Sequence, residues 1–286
     1  MQAAMKTNIV FAEKCLSYGT WHIEGPQRVK IAQEMLKEKG YHFIEPQPAS
    51  EDDLLLVHDM DYLWNLKKGL VEDHDTPAYD KIYDYACLSA GAAILAAKTN
   101  SFSLTRPPGH HVGRYGAALN VCSRGFCYIN NIAIAVKTLN KPTLILDFDG
   151  HHGNGTQETF QGDPNVCYLS VHRAPLYPGT GDKSEGNCIN YELPVDCGEK
   201  IYLETLDKAL KSIDTRKFEV LAVSAGFDTY KGDLASLGLN ENTFNKIGKK
   251  IALLSLPTFF VLEGGYLGEK NGICIDQLLK GFEEKS

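Results

Sequence analysis

No apolar stretch of the chain approaches the roughly 20 residues that a membrane-crossing helix needs. The N-terminus lacks the charged-then-apolar run of a secretion signal. No block of like charge stands out: 29 basic residues against 36 acidic ones leave a formal charge of −7. Without a basic patch to neutralise phosphates, general nucleic-acid binding is excluded, whereas a cationic partner is compatible with the charge. Eight cysteines include no Cys-x-x-Cys pair, which argues against a zinc knuckle. Read as reduced thiols, they predict a cytoplasmic protein with no membrane association. Repeats, low-complexity tracts and linkers are lacking too, so the expectation is one domain over residues 1–286.

What the chain does contain is 43% hydrophobic residues, enough for a large core, arranged as strand-like runs alternating with helix-like segments. Strands are predicted over Phe102–Thr105, Thr143–Leu146, Val166–Val171, Val220–Ser224 and Thr258–Leu262, each short, apolar and rich in β-branched or aromatic residues. Helices are predicted over Pro26–Lys39, with proline at its start and Gly40 at its end, and over Asp84–Lys98, Tyr202–Ile213 and Thr243–Leu254. Such alternation implies an α/β fold with a parallel sheet covered by helices on both faces.

Chemically capable residues follow these strands. His110 and His111 come after the first, then Asp147, Asp149, His151 and His152, then His172, then Asp228, and last Glu263 with Gly264, Gly265 and Tyr266. In a parallel sheet the carboxyl ends of strands share an edge, and ligand sites form there. Asp149 and His151 lie two apart, so on extended chain they project to one side, as two ligands of a cation would. Asp228, after a buried strand, is the best third candidate for a catalytic zinc site with an open position. From composition alone, a loop with a hydrogen-bonded carboxylate remains the other reading.

The motifs Arg106-Pro107-Pro108-Gly109-His110-His111, Gly125-Phe126-Cys127-Tyr128-Ile129-Asn130-Asn131, Asp147–Thr156, Tyr177-Pro178-Gly179-Thr180-Gly181, Gly226-Phe227-Asp228 and Glu263-Gly264-Gly265-Tyr266 occur in that order. The set resembles the signatures of the histone deacetylase family, over about residues 20 to 270. The resemblance implies the arginase–deacetylase fold, a three-layer α/β/α sandwich around a mostly parallel eight-stranded sheet. It implies a zinc-dependent deacetylase acting on acylated lysine, with acetylpolyamines or other small acylated amines as the alternative substrates. Asp149, His151 and Asp228 become the zinc ligands; two carboxylates and a neutral imidazole cancel the metal's charge, and Fe²⁺ competes for so hard a site.

The same resemblance gives His110 and His111 the acid–base work, with Asp147 holding His110 and Asn154 holding His111; His111 is expected to shuttle protons and His110 to act electrostatically. Tyr266 is expected to donate to the scissile carbonyl. Phe126 and Tyr177 become the walls of an acyl-lysine channel, Gly125 lines it, and Gly265 joins the substrate-binding set. Asp75 corresponds to a rim aspartate that holds the substrate, or else starts a turn before Pro77. Arg28 corresponds to the residue guarding the acetate exit, or else is a helix-surface arginine. Potassium is expected among Asp147, Asp149, His151, Ser170 and Val171. The thirteen residues Val112 to Arg124 between His111 and Gly125 exceed the family's usual spacing and are expected to reshape or cap the entrance. A catalytically dead binding module would lack a ligand or the tyrosine, and an arginase-like ureohydrolase would need ligands for a second metal.

Overall fold

The computed structural model describes residues 6–284. The expected single domain over 1–286 includes residues 1–5 and 285–286, which lie outside the described residues. Eight strands form one sheet: β1 (Ile9–Val10), β2 (Phe43–Ile44), β3 (Phe102–Ser103), β6 (Thr143–Asp147), β7 (Val166–Arg173), β8 (Cys188–Leu193), β9 (Val220–Ala225) and β10 (Thr258–Leu262). A separate two-stranded hairpin pairs β4 (Val112–Gly113) with β5 (Gly116–Ala117). The sheet order is β2-β1-β3-β10-β9-β6-β7-β8, and every pairing in it is parallel. This is the expected parallel eight-stranded sheet, though the first predicted strand stops at Ser103 rather than Thr105.

The period of two along the strands sorts two cores. Leu144 and Leu146 of β6, Leu221 and Val223 of β9, and Phe260 and Leu262 of β10 point to one face. There they meet α1 (Gln27–Glu38), α7 (Gly198–Lys211), α8 (Glu241–Ala252) and α9 (Gly268–Glu283). Ile145, Ala222, Phe259 and Val261 point to the other face. That face is covered by α2 (Glu51–Leu55), α3 (Met60–Lys67), α4 (Ile82–Thr99) and α5 (Asn131–Leu139), with Phe160 of α6 (Asn154–Phe160). The four predicted helices are all present with ends shifted by a few residues.

Local chemistry ends the helices where packing needs them to end. Asn130 caps α5 by accepting from Ala133 N at 3.1 Å, and Asn240 with Thr243 forms a reciprocal capping box on α8. Asn100 and Asn140 take the left-handed conformation that closes α4 and α5. The result brings the carboxyl ends of β3, β10, β9, β6 and β7, five consecutive strands, to one edge of the sheet.

Candidate active site

The loop after β6 turns back on its own carboxylates. Asp149 N donates to Asp147 Oδ1 at 3.1 Å, and His151 N donates to Asp149 Oδ1 at 2.9 Å. From the β9 loop, Asp228 accepts Gly150 N on Oδ1 at 2.9 Å and places Oδ2 2.7 Å from His151 Nδ1. From the β10 loop, Gly264 N donates to Asp149 Oδ2 at 2.7 Å. One ligand atom from each of Asp149, His151 and Asp228 therefore lies within 4.8 Å of the other two. Asp149 and Asp228 are buried.

Glycine makes the convergence feasible. A Cβ on Gly226 would collide with Asp149, and one on Gly264 would stand 2.5 Å from Asp149 Oδ2 and 2.9 Å from Asp228 Oδ2. Burial and the neighbouring charge of Asp149 push the Asp228 carboxyl up to about 6. Two buried carboxylates this close, with one imidazole, fit a divalent cation of the zinc or ferrous type by donor set and by spacing. A second acidic group among the described residues, Asp73, His74 and Asp75, lies nearer the surface and already carries the Arg124 guanidinium at 2.9 Å from Asp73.

The tandem histidines stand beside this cluster. His110 Nδ1 meets Asp147 Oδ2 at 3.0 Å, and the two histidine rings are 4.0 Å apart between centroids. Burial opposes charge on His110, but Asp147 and Asp149 override it and hold the imidazole up to about 10. His111 Nδ1 meets Asn154 Oδ1 at 2.8 Å. Burial, reinforced by the charges of His110 and His151, pushes His111 well below the usual histidine range. The surroundings of the two rings thus pull in opposite directions, favouring the charged form of His110 and the neutral form of His111.

The remaining expected residues surround this core. Tyr266 sits half-buried after Gly265, its backbone N held by Asp233 at 2.8 Å; burial pushes its phenol well up, with Arg28 opposing. Phe126 lies edge-on to Tyr266 at 5.5 Å between centroids, and Tyr177 edge-on to His111 at 5.0 Å. Gly125 and Phe126 both have positive φ, +52° and +69°, a strain the sequence reading did not anticipate for phenylalanine. Gly125 packs so closely on His111 that a Cβ there would stand 2.5 Å from the ring. Asp75 accepts Ser123 Oγ at 2.6 and 2.7 Å on its two oxygens; the turn before Pro77 is started by Asp73, which accepts Asp75 N at 3.2 Å.

Arg28 is not on the helix surface. It is 2% exposed, donates to Gly265 O at 2.6 Å, to Glu263 O and to Glu24, and lies 4.6 Å from the Tyr266 ring centre. Ser170 sits opposite Asp147 in the β6–β7 register, followed by the buried Val171, and the Ser170 hydroxyl meets His172 Nδ1 at 2.9 Å. Residues 112–124 split in two. The first half is the β4–β5 hairpin, packed down on α6; the second half brings Ser123 to Asp75 and Arg124 to Asp73.

Several supporting residues were given no role by sequence reasoning. Glu263 is wholly buried and accepts the backbone N of Gly109 at 2.8 Å and of His110 at 3.2 Å, tying the β10 loop to the tandem histidines. Glu24 lies between Arg28 and Arg106, bonded to both at 2.8 Å. Tyr168 OH donates to Asp147 Oδ2 at 3.0 Å. Of these only Glu263 stands in a quoted motif, and partnerships such as Glu24 with Arg106, 82 residues apart, or Glu263 with Gly109, 154 apart, leave no mark in the sequence.

Comparison with known proteins agrees with this architecture. Residues 22–282 match the model of the histone deacetylase domain. A probable deacetylase of Archaeoglobus fulgidus is 36% identical over 299 residues, spanning 92% of this chain and 82% of the relative. Acetylpolyamine amidohydrolase 1 of Pseudomonas aeruginosa is 36% identical over 222 residues, spanning 72% of this chain and 62% of its own. The crystal structure of an acetylpolyamine aminohydrolase from Burkholderia pseudomallei superposes with a TM-score of 0.88 at 26% identity, covering 97% of this chain and 99% of that one. The fold is the arginase–deacetylase fold.

Proposed function

The chain belongs to the histone deacetylase family of hydrolases, and from that premise we propose that it removes acetyl or other acyl groups from lysine side chains with the help of a divalent metal. The single observation that carries the reading is the meeting of Asp149, His151 and Asp228 beside the His110–His111 pair. A zinc or ferrous ion held by those three would supply Lewis-acid activation of a water molecule and of the scissile carbonyl.

The chain's own residues do the rest. His111, kept neutral, takes a proton from the attacking water and returns it to the leaving amine as the C–N bond breaks and the new C–O bond forms. His110, kept cationic by Asp147, stabilises the negative charge that builds on the reacting amide. The Tyr266 phenol, kept protonated by burial, donates to the carbonyl oxygen. Phe126, Tyr177, Gly125 and Gly265 enclose the acyl-amine stem and exclude water, and Asp75 holds the substrate at the rim. Arg28 closes the far end, where acetate leaves. Potassium belongs with Asp147, Asp149, His151, Ser170 and Val171.

A second reading, deacetylation of acetylpolyamines or other small acylated amines, is favoured by the likeness to two acetylpolyamine amidohydrolases. The protein acts in the cytoplasm on this reading, and all eight cysteines are free. No helix among the described residues is long and apolar enough to cross a membrane. Turnover of an acetyl-lysine peptide and of acetylputrescine, each with and without chelator, tests the proposal. Chelator-sensitive hydrolysis of the peptide is expected; hydrolysis of acetylputrescine alone would shift the substrate to the second reading, and chelator-resistant hydrolysis would refute the metal's role.

A further inference from the structure

Asn154 has two faces, and only one of them touches a histidine. Its Oδ1 meets His111 Nδ1 at 2.8 Å, while its Nδ2 donates to Ala118 O at 3.0 Å. An amide can be turned end for end with little change in shape, so the partners decide its orientation. Ala118 O is an acceptor only. It therefore demands the NH₂ end, which leaves the oxygen for His111. His111 must then carry its hydrogen on Nδ1 and present a bare Nε2.

Ala118 is buried, and its carbonyl is held by a hairpin pinned at several points. Val112 O accepts Asn130 Nδ2 at 3.0 Å, and Gly113 O meets His58 Nδ1 at 3.0 Å. Arg114 O accepts Asp59 N at 2.9 Å, and Glu158 Oε2 accepts Leu119 N at 2.8 Å. There is no slack beneath: a Cβ on Gly113 would collide with Glu158, and one on Gly155 would collide with the Val112 backbone. Leu119 and Asn120 have φ of +51° and +60°, a turn held by these contacts.

We propose that residues 112–119, clamped by His58 and Glu158, are a positioning device for the proton-transferring histidine, fixing the Asn154 amide and through it the tautomer of His111. This deepens the deacylase reading and rests on it for the kinetic part. Glu158 is a positioning residue, remote from substrate, and Ala118 acts through its carbonyl alone.

Glu158→Ala is expected to lower kcat about tenfold or more while KM stays within about twofold, as loss of a supporting partner does. Glu158→Gln, whose amide oxygen still accepts Leu119 N, recovers most of the loss. Independently of any substrate, the ¹⁵N shifts of the His111 ring in the metal-loaded protein report a single Nδ1–H tautomer, and Glu158→Ala gives a mixture. Failure of the parent to hydrolyse any acylated amine would overturn the deacylase reading and leave the ring signal to decide the device. Parental kcat with an unchanged ring signal in Glu158→Ala, or equal losses in the Ala and Gln variants, would overturn the device. Should Glu158→Ala not fold, Asn154→Asp serves: it sets an acceptor against Ala118 O, and amide exchange across 117–119 is expected to rise. Unchanged exchange there would count against the proposal.

Discussion

One hydroxyl distinguishes Tyr266 from phenylalanine, and on the proposed reading that hydroxyl does chemistry while the ring does the packing. Tyr266→Phe keeps the edge contact with Phe126 and the backbone bond to Asp233. Its kcat is expected to fall about 10²–10³-fold with metal content unchanged. His111→Ala is expected to do the same, and near-parental rates in either variant would refute the assigned roles. His58 offers a prediction of a different kind. Its Nδ1 donates to Gly113 O, and its Nε2 accepts Asn130 N at 2.9 Å, so the ring is bound neutral. Burial lowers it from 6.5 to about 4. Between those values the unfolded chain binds the extra proton and the native one does not, so stability is complete above pH 6.5 and falls as pH drops towards 4. The slope from this one group is about 1.4 kcal/mol per pH unit, on the order of 3 kcal/mol across the window. Denaturant midpoints between pH 7 and 4.5 should therefore fall more steeply in the parent than in His58→Gln. Parallel curves would rule the assignment out.

Among the elements, the pair α8 and α9 is packed with nothing to spare. A Cβ on Gly248 would collide with Leu278 O, and one on Gly281 with Asn245 O. Gly281→Ala gains about 1 kcal/mol of helix propensity but must force the helices apart. A net loss of about 2 kcal/mol is expected from urea titration, and a higher midpoint would contradict the packing. Packing of this sort was illegible in the sequence, whereas the central strands were not. β6, β7, β9 and β10 are buried on both faces, so their apolar runs stand out. The two-residue strands β1 and β2 are too short for any period to show. β8, at the edge, mixes Asn190 and Glu192 into its run. α9 opens on Gly268 and carries Gly272 and Gly281, which weakens its helical pattern. The site divides in the same way. Asp149 and His151 are neighbours in sequence and could be paired by spacing; Glu263, Asp233 and His58 act across long separations that only the folded sheet closes.

At the scale of the whole molecule, the sheet works as a frame on which five strand ends are held against one another. Asp149 and Asp228 are buried side by side in it, and the cation of the proposed reading would relieve their mutual repulsion. Chelation should thus destabilise the protein as well as inactivate it. At a free ion concentration about 1,000 times Kd the ion contributes about 4 kcal/mol, so Tm is expected to fall on the order of 10 °C when it is stripped. Equal melting with and without chelator would contradict the cation's place in the frame.

The strand order has a consequence for the chain as it is made. His151 and Asp228 are 77 residues apart, and Gly264, which steadies Asp149, follows that aspartate by 115. Among the described residues β10 is the last strand in chain order, yet it lies between β3 and β9, in the interior of the sheet. A chain emerging from the ribosome exposes Asp149 and His151 long before the residues that complete their surroundings exist. An ion at the proposed site therefore cannot serve as an early clasp that gathers the chain. On the proposed reading its capture waits for the β9 and β10 loops, and a loaded site reports that both have docked against the β6 loop.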